Sequence, residues 1–288
     1  MKTYLVYKER VEGFKDVSET VKVVEKISAS SVHSLKKETA SLSIYINEIK
    51  NILFRLSPFC KENNHPLLQK NDTGEKTLVI ITGDKGLVGG LWHKVIDAFL
   101  ENDNHYQSVI IIGKEGQEYL NEENVRIVKS FTDDANVSLE ERTMQITDYV
   151  FREFENKIFS RVDILYPRFI SLTEQRPGFI PFLPFELAPR SLKDKSANTG
   201  AGGMGLPIFE PARKYVLSQL LKKYINLYFH GIIVETRLSE SLSRTLAMEH
   251  ASAKTDALIK RITHDYMKER RRFITQKQLE SFIGHKIR

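Results

Sequence analysis

The sequence predicts an α/β protein in which two very long helices flank a small Rossmann-like domain with a mostly parallel sheet. Proline-free stretches with apolar residues at helical spacing occupy both ends of the chain, at 14–56 and 212–283. Short runs rich in Val and Ile alternate with helical patterns between them, which is typical of parallel strands covered by helices. The predicted parts are an N-terminal coiled-coil helix (1–57), an α/β domain (58–210) with an irregular connection (177–210), and a C-terminal coiled-coil helix (211–288).

Composition restricts the class of protein. The chain has 288 residues, of which 28% are charged, and a mean hydropathy of −0.32, so we expect it to be soluble. Its longest apolar runs are far too short to cross a bilayer, and its N-terminus lacks the apolar stretch of a secretory signal. The single cysteine, Cys60, excludes an internal disulfide and fits a reducing compartment. A net charge of +6 suits nucleic acid, an acidic protein or membrane headgroups, without choosing among them.

The N-terminal helix is predicted from a heptad register that no proline interrupts before Pro58. Mostly apolar residues fill its a positions, which are Phe14, Val21, Ser28, Leu35, Leu42, Ile49 and Leu56. The proposed d positions are Val17, Val24, Ser31, Glu38, Tyr45 and Ile52. This pattern is typical of a coiled-coil helix, although its middle is small or polar.

The C-terminal helix is predicted from Ala212 to Ile283. Pro211 suits the first helical turn, where a missing N–H has no intrahelical partner. Apolar residues at spacings of four and seven form one stripe, namely Ala247, Ala251, Leu258, Ile262, Tyr266 and Phe273. Antiparallel pairing with the N-terminal helix is the economical way to bury both stripes.

The middle of the chain is predicted to hold strands and helices in alternation. Strands are expected at 76–82, 108–113, 125–130 and 162–171. Helical patterns separate them at 91–100, 115–120 and 139–159. After residue 177 the order breaks down into prolines and the run GAGGMG, from which we predict an irregular connection up to residue 210.

A glycine-rich turn follows the first of these strands, in the segment TLVIITGDKGLVGGLWHKVIDAF (77–99). Its glycines, Gly83, Gly86, Gly89 and Gly90, fit neither a Walker-type loop nor a G-x-G-x-x-G fingerprint. A tight turn whose glycines supply positive φ or close packing is therefore favoured over a phosphate site. No H-x-x-x-H pair or G-x-S-x-G elbow occurs in the sequence, and a solvated helix face explains Glu153 and Glu155. We predict no catalytic residue, cofactor or metal.

Four segments carry a resemblance to a known family. VIITGDKGLVGG holds a G-D-K-G-L-x-G-G turn, and LYPRFISLTEQRPGFIPFLP holds a Y-x-x-F core with a closing L-P. After an E-P helix start comes an S-E-x-x-x-R-x-x-A-M box, formed by Ser239, Glu240, Arg244, Ala247 and Met248. The segment ITHDYMKERRRFIT matches at Thr263, Tyr266, Arg270, Ile274 and Thr275. In these segments, and in nearly all of its length, the chain resembles the gamma subunits of F-type ATP synthases, which form the central rotor stalk.

The resemblance implies partners and contacts. It implies that the paired helices turn inside a ring of three alpha and three beta subunits, whose beta subunits carry the catalytic residues. The positions Arg270, Arg271, Thr275 and Lys277 would meet an acidic loop of beta. The positions Phe209, Glu210 and Pro211 would face the membrane rotor ring and an epsilon-like subunit. The chain would then lie at the cytoplasmic face of a membrane, held only through its partners, with a bacterial inner membrane favoured over an organelle.

Alternatives remain open at this level. Val88, Met267, Arg271 and Lys277 depart from the family's usual residues, so a paralogous F-type-like ATPase with another mechanical task is an alternative to the main synthase. The basic run from Lys268 to Arg272 could contact nucleic acid, but no aromatic platform accompanies it, so an acidic protein loop is favoured, with a plain solvated helix face as the second choice. A Rossmann-type enzyme or a coiled-coil adaptor with an α/β head are the remaining hypotheses.

Overall fold

The structure is a computed structural model that describes residues 3–56, 65–102, 105–123, 125–133, 136–186, 209–210 and 212–286. Cys60 and Pro211 lie outside these residues. The chain divides into two compact units, which we call the terminal unit (Met1–Ser31 with Ser241–Arg288) and the central unit (Val32–Glu240).

A five-stranded sheet forms the middle of the central unit, in the order β3-β2-β1-β4-β5. The first four strands are parallel neighbours, as predicted, and β5 runs antiparallel to β4. Their bounds are Glu75–Ile81 (β1), Ser108–Ile112 (β2), Ile127–Phe131 (β3), Phe159–Phe169 (β4) and Gln175–Leu183 (β5).

Strand β5 corrects the sequence prediction. Residues 177–183 were expected in the irregular connection, because Pro177 and Pro181 normally argue against a strand. The structure places both prolines at the edge of the sheet, opposite Pro167 and Asp163 of β4. An edge strand tolerates proline because only one side of its backbone has a ladder to satisfy.

Five α-helices accompany the strands in the described part of the chain. Their bounds are Thr3–Leu56 (α1), Leu91–Leu100 (α2), Lys114–Glu122 (α3), Leu139–Glu155 (α4) and Arg213–Lys286 (α5). A capping box starts α4, in which Ser138 and Glu141 satisfy each other's backbone N–H. This helix ends four residues before the predicted 159, because Lys157 adopts a positive φ of 61° and turns the chain into β4.

The sheet carries an apolar core on each face. Alternate residues of β1 point to opposite faces, so that Leu78 and Ile80 belong to one core and Val79 and Ile81 to the other. Helices α2 and α3 cover the first core. The second core also takes side chains from α1, α4 and α5, including Leu53, Ile146 and Phe229.

Helices α1 and α5 pair antiparallel, as predicted. In the central unit a Cβ added to Gly231 would lie 3.1 Å from Ile46 Cδ1, so the two backbones approach closely there. In the terminal unit Tyr4 packs against Phe273 with ring centroids 5.2 Å apart, whereas Ser18, further along α1, bonds Asp256, earlier on α5. Residue numbers therefore rise along α1 where they fall along α5, which makes the two helices antiparallel.

The heptad register of α1 is half right. All the predicted a positions are buried or half-buried. The predicted d positions Val17, Tyr45 and Ile52 are 50%, 50% and 44% exposed. The next residue along the chain takes the inward place in each case, namely Ser18, Ile46 and Leu53. Apolar residues stand at both alternatives at 45/46 and 52/53, and at 17/18 the inward residue is the polar Ser18. The apolar pattern therefore did not reveal which residue faces inward.

Candidate functional site

The carboxyl edge of the parallel strands is where an open α/β sheet usually binds a ligand. In this structure helix α5 lies across that edge. The Glu235 carboxylate accepts the N–H of Phe169 at the end of β4 (3.0 Å) and the hydroxyl of Tyr166 (3.3 Å). Two residues on, Arg237 Nη2 lies 3.7 Å from Asp133 Oδ1, just after β3. Side chains of the chain itself therefore occupy the ligand position of this fold.

The glycine-rich turn after β1 is part of the same closed edge. A Cβ on Gly83 would lie 2.6 Å from Trp92 Cζ2 and 3.0 Å from Glu240 Cδ, so this glycine serves close packing. Gly89 adopts a positive φ of 61°. Asp84 Oδ1 accepts the N–H of Lys114 at the start of α3 (2.9 Å), which places a carboxylate where an anion would otherwise bind a helix N-terminus. The turn holds a strand against helices, as the sequence favoured.

A buried arginine, Arg142 of α4, contacts residues of this edge. Its guanidinium bonds Asp133, lies 3.6 Å from Asp84 Oδ2, and donates to the carbonyl of Phe131 (3.4 Å). Asp133 thus receives both Arg142 and Arg237, from α4 and α5. A charged group as buried as Arg142 requires such partners.

Sequence reasoning missed Glu235, Arg237 and Arg142 as a group. A signal was present, because the charged residues Glu235 and Arg237 interrupt a largely apolar helical segment. Arg142 likewise falls on the apolar stripe of α4 between Leu139 and Ile146. Their meeting at one edge depends on the strand order, which the sequence pattern did not provide.

Burial shifts the pKa values of two side chains at this edge. It raises the pKa of the Glu235 carboxyl, although the Phe169 N–H, the Tyr166 hydroxyl and the Arg168 charge oppose the shift. Burial, and then the Glu235 charge, raise the pKa of the Tyr166 phenol, so the hydroxyl stays a hydrogen-bond donor at neutral pH.

The basic end of α5 belongs to the terminal unit and presents two faces. A shallow groove is lined by His264, Met267, Lys268, Arg271, Arg272, Thr275, Gln276 and Leu279. It contains Arg271 and Thr275 of the four predicted ring-contact residues. Arg270 and Lys277 are seven residues apart and share a different face, where Lys277 Nζ lies 5.7 Å from the centroid of the Phe273 ring. The predicted group is therefore split between two sides of one helix.

The predicted rotor-facing residues precede α5. Phe209 is half-buried, and its ring centroid lies 5.7 Å from Arg213 Cζ, whereas Glu210 is exposed. Pro211, the third member of this group, falls outside the described residues. An exposed carboxylate beside an aromatic–arginine pair offers a partner both charge and apolar surface.

Solved structures define the class of fold. The chain is similar to a chain of the Euglena gracilis mitochondrial ATP synthase OSCP/F1/c-ring structure, with a TM-score of 0.64 and 17% identity, covering 98% of this chain and 93% of that one. It is also similar to a chain of the Tetrahymena thermophila mitochondrial ATP synthase central stalk/c-ring structure, with a TM-score of 0.58 and 18% identity, covering 81% and 99%. These likenesses establish the fold of long terminal helices and a mixed sheet.

The family follows from sequence. The family model described as ATP synthase matches residues 4–283, and the chain belongs to this family. The ATP synthase gamma chains of Staphylococcus epidermidis and Staphylococcus haemolyticus are each 24% identical to it over 281 residues, which is 96% of this chain and 95% of theirs. The gamma chain of Staphylococcus aureus is 22% identical over the same share.

Two absences concern the described residues. Among them, no helix combines the length and the apolar character that crossing a membrane requires. Within the same residues, no group of three or more His, Cys, Asp or Glu side chains is arranged to hold a metal ion.

Proposed function

We propose that the chain is the central rotary stalk of an F-type ATP synthase or ATPase. It couples ion translocation in a membrane to ATP synthesis or hydrolysis in a ring of alpha and beta subunits. The observation that supports this most is the match of residues 4–283 to the ATP synthase family, together with the antiparallel pairing of α1 and α5.

The proposed role is mechanical. The catalytic residues belong to the beta subunits, and this chain contributes contacts that change as it turns. A shaft with unequal sides biases the open and closed states of each catalytic site in sequence, through differential contacts. The two faces at the end of α5 supply such unequal sides, because Arg271 with Thr275 and Arg270 with Lys277 reach a partner at different rotation angles.

The proposed partners occupy different parts of the chain. Arg270, Arg271, Thr275 and Lys277 meet an acidic loop of the catalytic ring. Phe209, Glu210 and Pro211 meet the membrane rotor ring or an epsilon-like subunit. The chain then lies on the cytoplasmic side of the membrane and is attached to it only through these partners.

A second candidate is the stalk of a paralogous F-type-like ATPase that uses hydrolysis for another mechanical task. Arg271 and Lys277 favour it, because they add positive charge where the family usually has glutamine and glutamate. The same fold and the same ring of catalytic subunits serve both candidates.

Affinity purification of the tagged chain from its native cells tests the proposal. We expect it to bring down two subunits with Walker motifs in threefold excess over the chain, together with ATPase activity. Rotor-ring and epsilon-like subunits in the same preparation support the synthase, and their replacement by other proteins supports the paralogue. Recovery of the chain alone, binding nucleotide by itself, would contradict both.

A further inference from the structure

Helix α5 passes through the central unit with no exposed side. Every residue from Tyr224 to Glu240 is buried or half-buried, and most are apolar. Apolar packing specifies one orientation of a helix less uniquely than directional polar contacts do, because cores tolerate the exchange of apolar side chains of similar volume. Polar side chains in such a segment are therefore informative, since burying them costs free energy that an apolar residue would not cost.

Four polar residues of this segment each engage a different element. His230 donates to the Thr143 hydroxyl of α4 (3.2 Å), because that hydroxyl already donates to the carbonyl of Leu139 (2.7 Å). The other three contact the carboxyl edge described above: Glu235 at the end of β4, Arg237 at Asp133 after β3, and Glu240 beside Gly83 after β1.

Their directions around the helix oppose each other. Residues two apart on an α-helix point about 200° apart, so Glu235 and Arg237 contact the central unit on nearly opposite sides of α5. Turning the helix either way stretches at least one of the two contacts. Contacts on opposite sides of the axis form a couple, which opposes rotation without displacing the axis of the helix.

We propose that Glu235 and Arg237 are positioning residues that lock α5 against rotation within the central unit, so that torque passes between the α/β domain and the helix. This inference rests on the proposed function. Glu235 is half-buried, whereas the side chains of Arg237 and Asp133 are 38% and 45% exposed, so these contacts add little to stability. Their directional geometry instead specifies one orientation of the helix. We call the contacts of Glu235 with Phe169 and Tyr166, and of Arg237 with Asp133, the polar clamp.

A single-molecule rotation assay tests the polar clamp. The chain is assembled with its own alpha and beta subunits, with Cys60→Ser and a bead attached at Asn121→Cys, an exposed position on α3. Torque from the catalytic ring then reaches the bead through α1 and α5, whose side chains share the core of the central unit, and the double variant removes contacts of α5 only. The matched control is Glu249→Ala, which removes an exposed glutamate from the same helix.

For Glu235→Ala with Arg237→Ala we expect ATP hydrolysis without load close to wild type. Under the drag of the bead, the torque should fall about twofold or more, with slips between steps, because losing a charge-assisted hydrogen bond shifts a two-state equilibrium by about tenfold. The Glu249→Ala control should keep full torque. A merely structural role would lower the yield of complex or hydrolysis, and leave the torque of each assembled molecule unchanged.

Unchanged torque in the double variant overturns the inference while leaving the proposed function intact. If the double variant does not assemble, Tyr166→Phe replaces it, because this change removes one hydrogen bond to Glu235 and keeps the ring. Wild-type torque in an assembled Tyr166→Phe complex then counts against the polar clamp, and a reduced torque supports it. Failure of the wild-type chain to assemble with alpha and beta subunits would instead contradict the proposed function.

Discussion

The hydroxyl of Ser18 in α1 donates a 3.0 Å hydrogen bond to Asp256 Oδ1 in α5, and Lys22 Nζ lies 3.3 Å from Asp256 Oδ2. These contacts join the two helices of the terminal unit across a region where side chains are small. Ser18, Ser28, Ser252 and Thr255 are all buried there. Such residues contribute little apolar area, so a directional polar link has more influence on register than it would in a leucine-rich coiled coil.

Replacing Ser18 by Ala should change the titration of Asp256. The Ser18 hydrogen bond, followed by Lys22, lowers the pKa of the Asp256 carboxyl below its ordinary value of 3.8. A lowered pKa in the fold contributes stability above the ordinary pKa, and this contribution is lost as the pH falls through the folded pKa. We expect Ser18→Ala to move the Asp256 pKa back up, as followed by carboxyl NMR, and an unchanged pKa would show that the bond does not form in solution.

Leu53 and Ile52 test the register of α1. Leu53 is 5% exposed and belongs to the core of the central unit, whereas Ile52 is 44% exposed. Leu53→Ala should lower the free energy of unfolding by about 2–5 kcal/mol, because it leaves a cavity. Ile52→Ala should change it by about 0.5 kcal/mol or less. Urea unfolding followed by Trp92 fluorescence measures the free energy of unfolding of both variants. Equal losses of stability would contradict the assignment of Leu53, and not Ile52, as the inward residue.

Gly83 and Gly90 test the closed carboxyl edge. A Cβ at Gly83 would meet Trp92 and the Glu240 carboxyl group, whereas one at Gly90 meets nothing within 4 Å. Gly83→Ala should destabilise the central unit by about 1–3 kcal/mol through overpacking and shift Trp92 emission. Gly90→Ala is the matched control and should leave both nearly unchanged. If Gly83→Ala is as stable as the control, the contact between α5 and this turn is looser than the structure shows.

Glu235 should make stability depend on pH with a particular sign. Its pKa is raised by burial, so its contribution to stability is present below the ordinary value of 4.5 and is lost as the pH rises through the folded pKa. Relative to Glu235→Gln, the wild-type chain should therefore lose stability as the pH rises through that range. Urea midpoints measured from pH 4 upward, about one pH unit apart, report this difference. Glu249→Gln provides the control, and a difference that grows in the wild type's favour with pH would contradict the raised pKa.

The two faces at the end of α5 should respond separately in the assembled ATPase. Arg271→Ala with Thr275→Ala removes one face, and Arg270→Ala with Lys277→Ala removes the other. We expect each pair to lower ATP turnover, with a smaller loss at high salt because exposed charges are screened. The effects of the two pairs should add if, as we propose, the two faces contact a partner at different rotation angles. Wild-type turnover in all variants at low and high salt would show that these residues form only a solvated surface.

Local sequence patterns were sufficient for most of the fold. The Val- and Ile-rich runs predicted β1 and β2 to within one residue, and the bounds of α2 were right. Periodicity identified both long helices because their packing repeats along the chain. Predictions failed where non-local packing decides, as in β5, where the edge position makes two prolines acceptable, and in α1, where the contact with α5 selects Leu53 over Ile52.

The candidate sites divide in the same way. Gly83 and Gly89 could be assigned to a structural turn, because the spacing of phosphate-binding loops is strict. The grouping of Glu235, Arg237 and Arg142 could not be predicted, because it depends on which strands end side by side. Arg270, Arg271, Thr275 and Lys277 lie on two faces of α5 because the helix turns between them, and their contact with a partner stays a prediction.

Strand β5 also has a consequence for solubility. Every second pair between β5 and β4 involves Pro177, Phe179 or Pro181. Neither proline has a backbone N–H to donate. At these positions the N–H of any other residue would therefore point away from the sheet. Of the outward positions 177, 179 and 181, only that of Phe179 has a backbone N–H. A free edge with a full row of donors is a template for strand addition by another molecule. The two prolines therefore leave this edge with fewer donors for strand addition by another molecule.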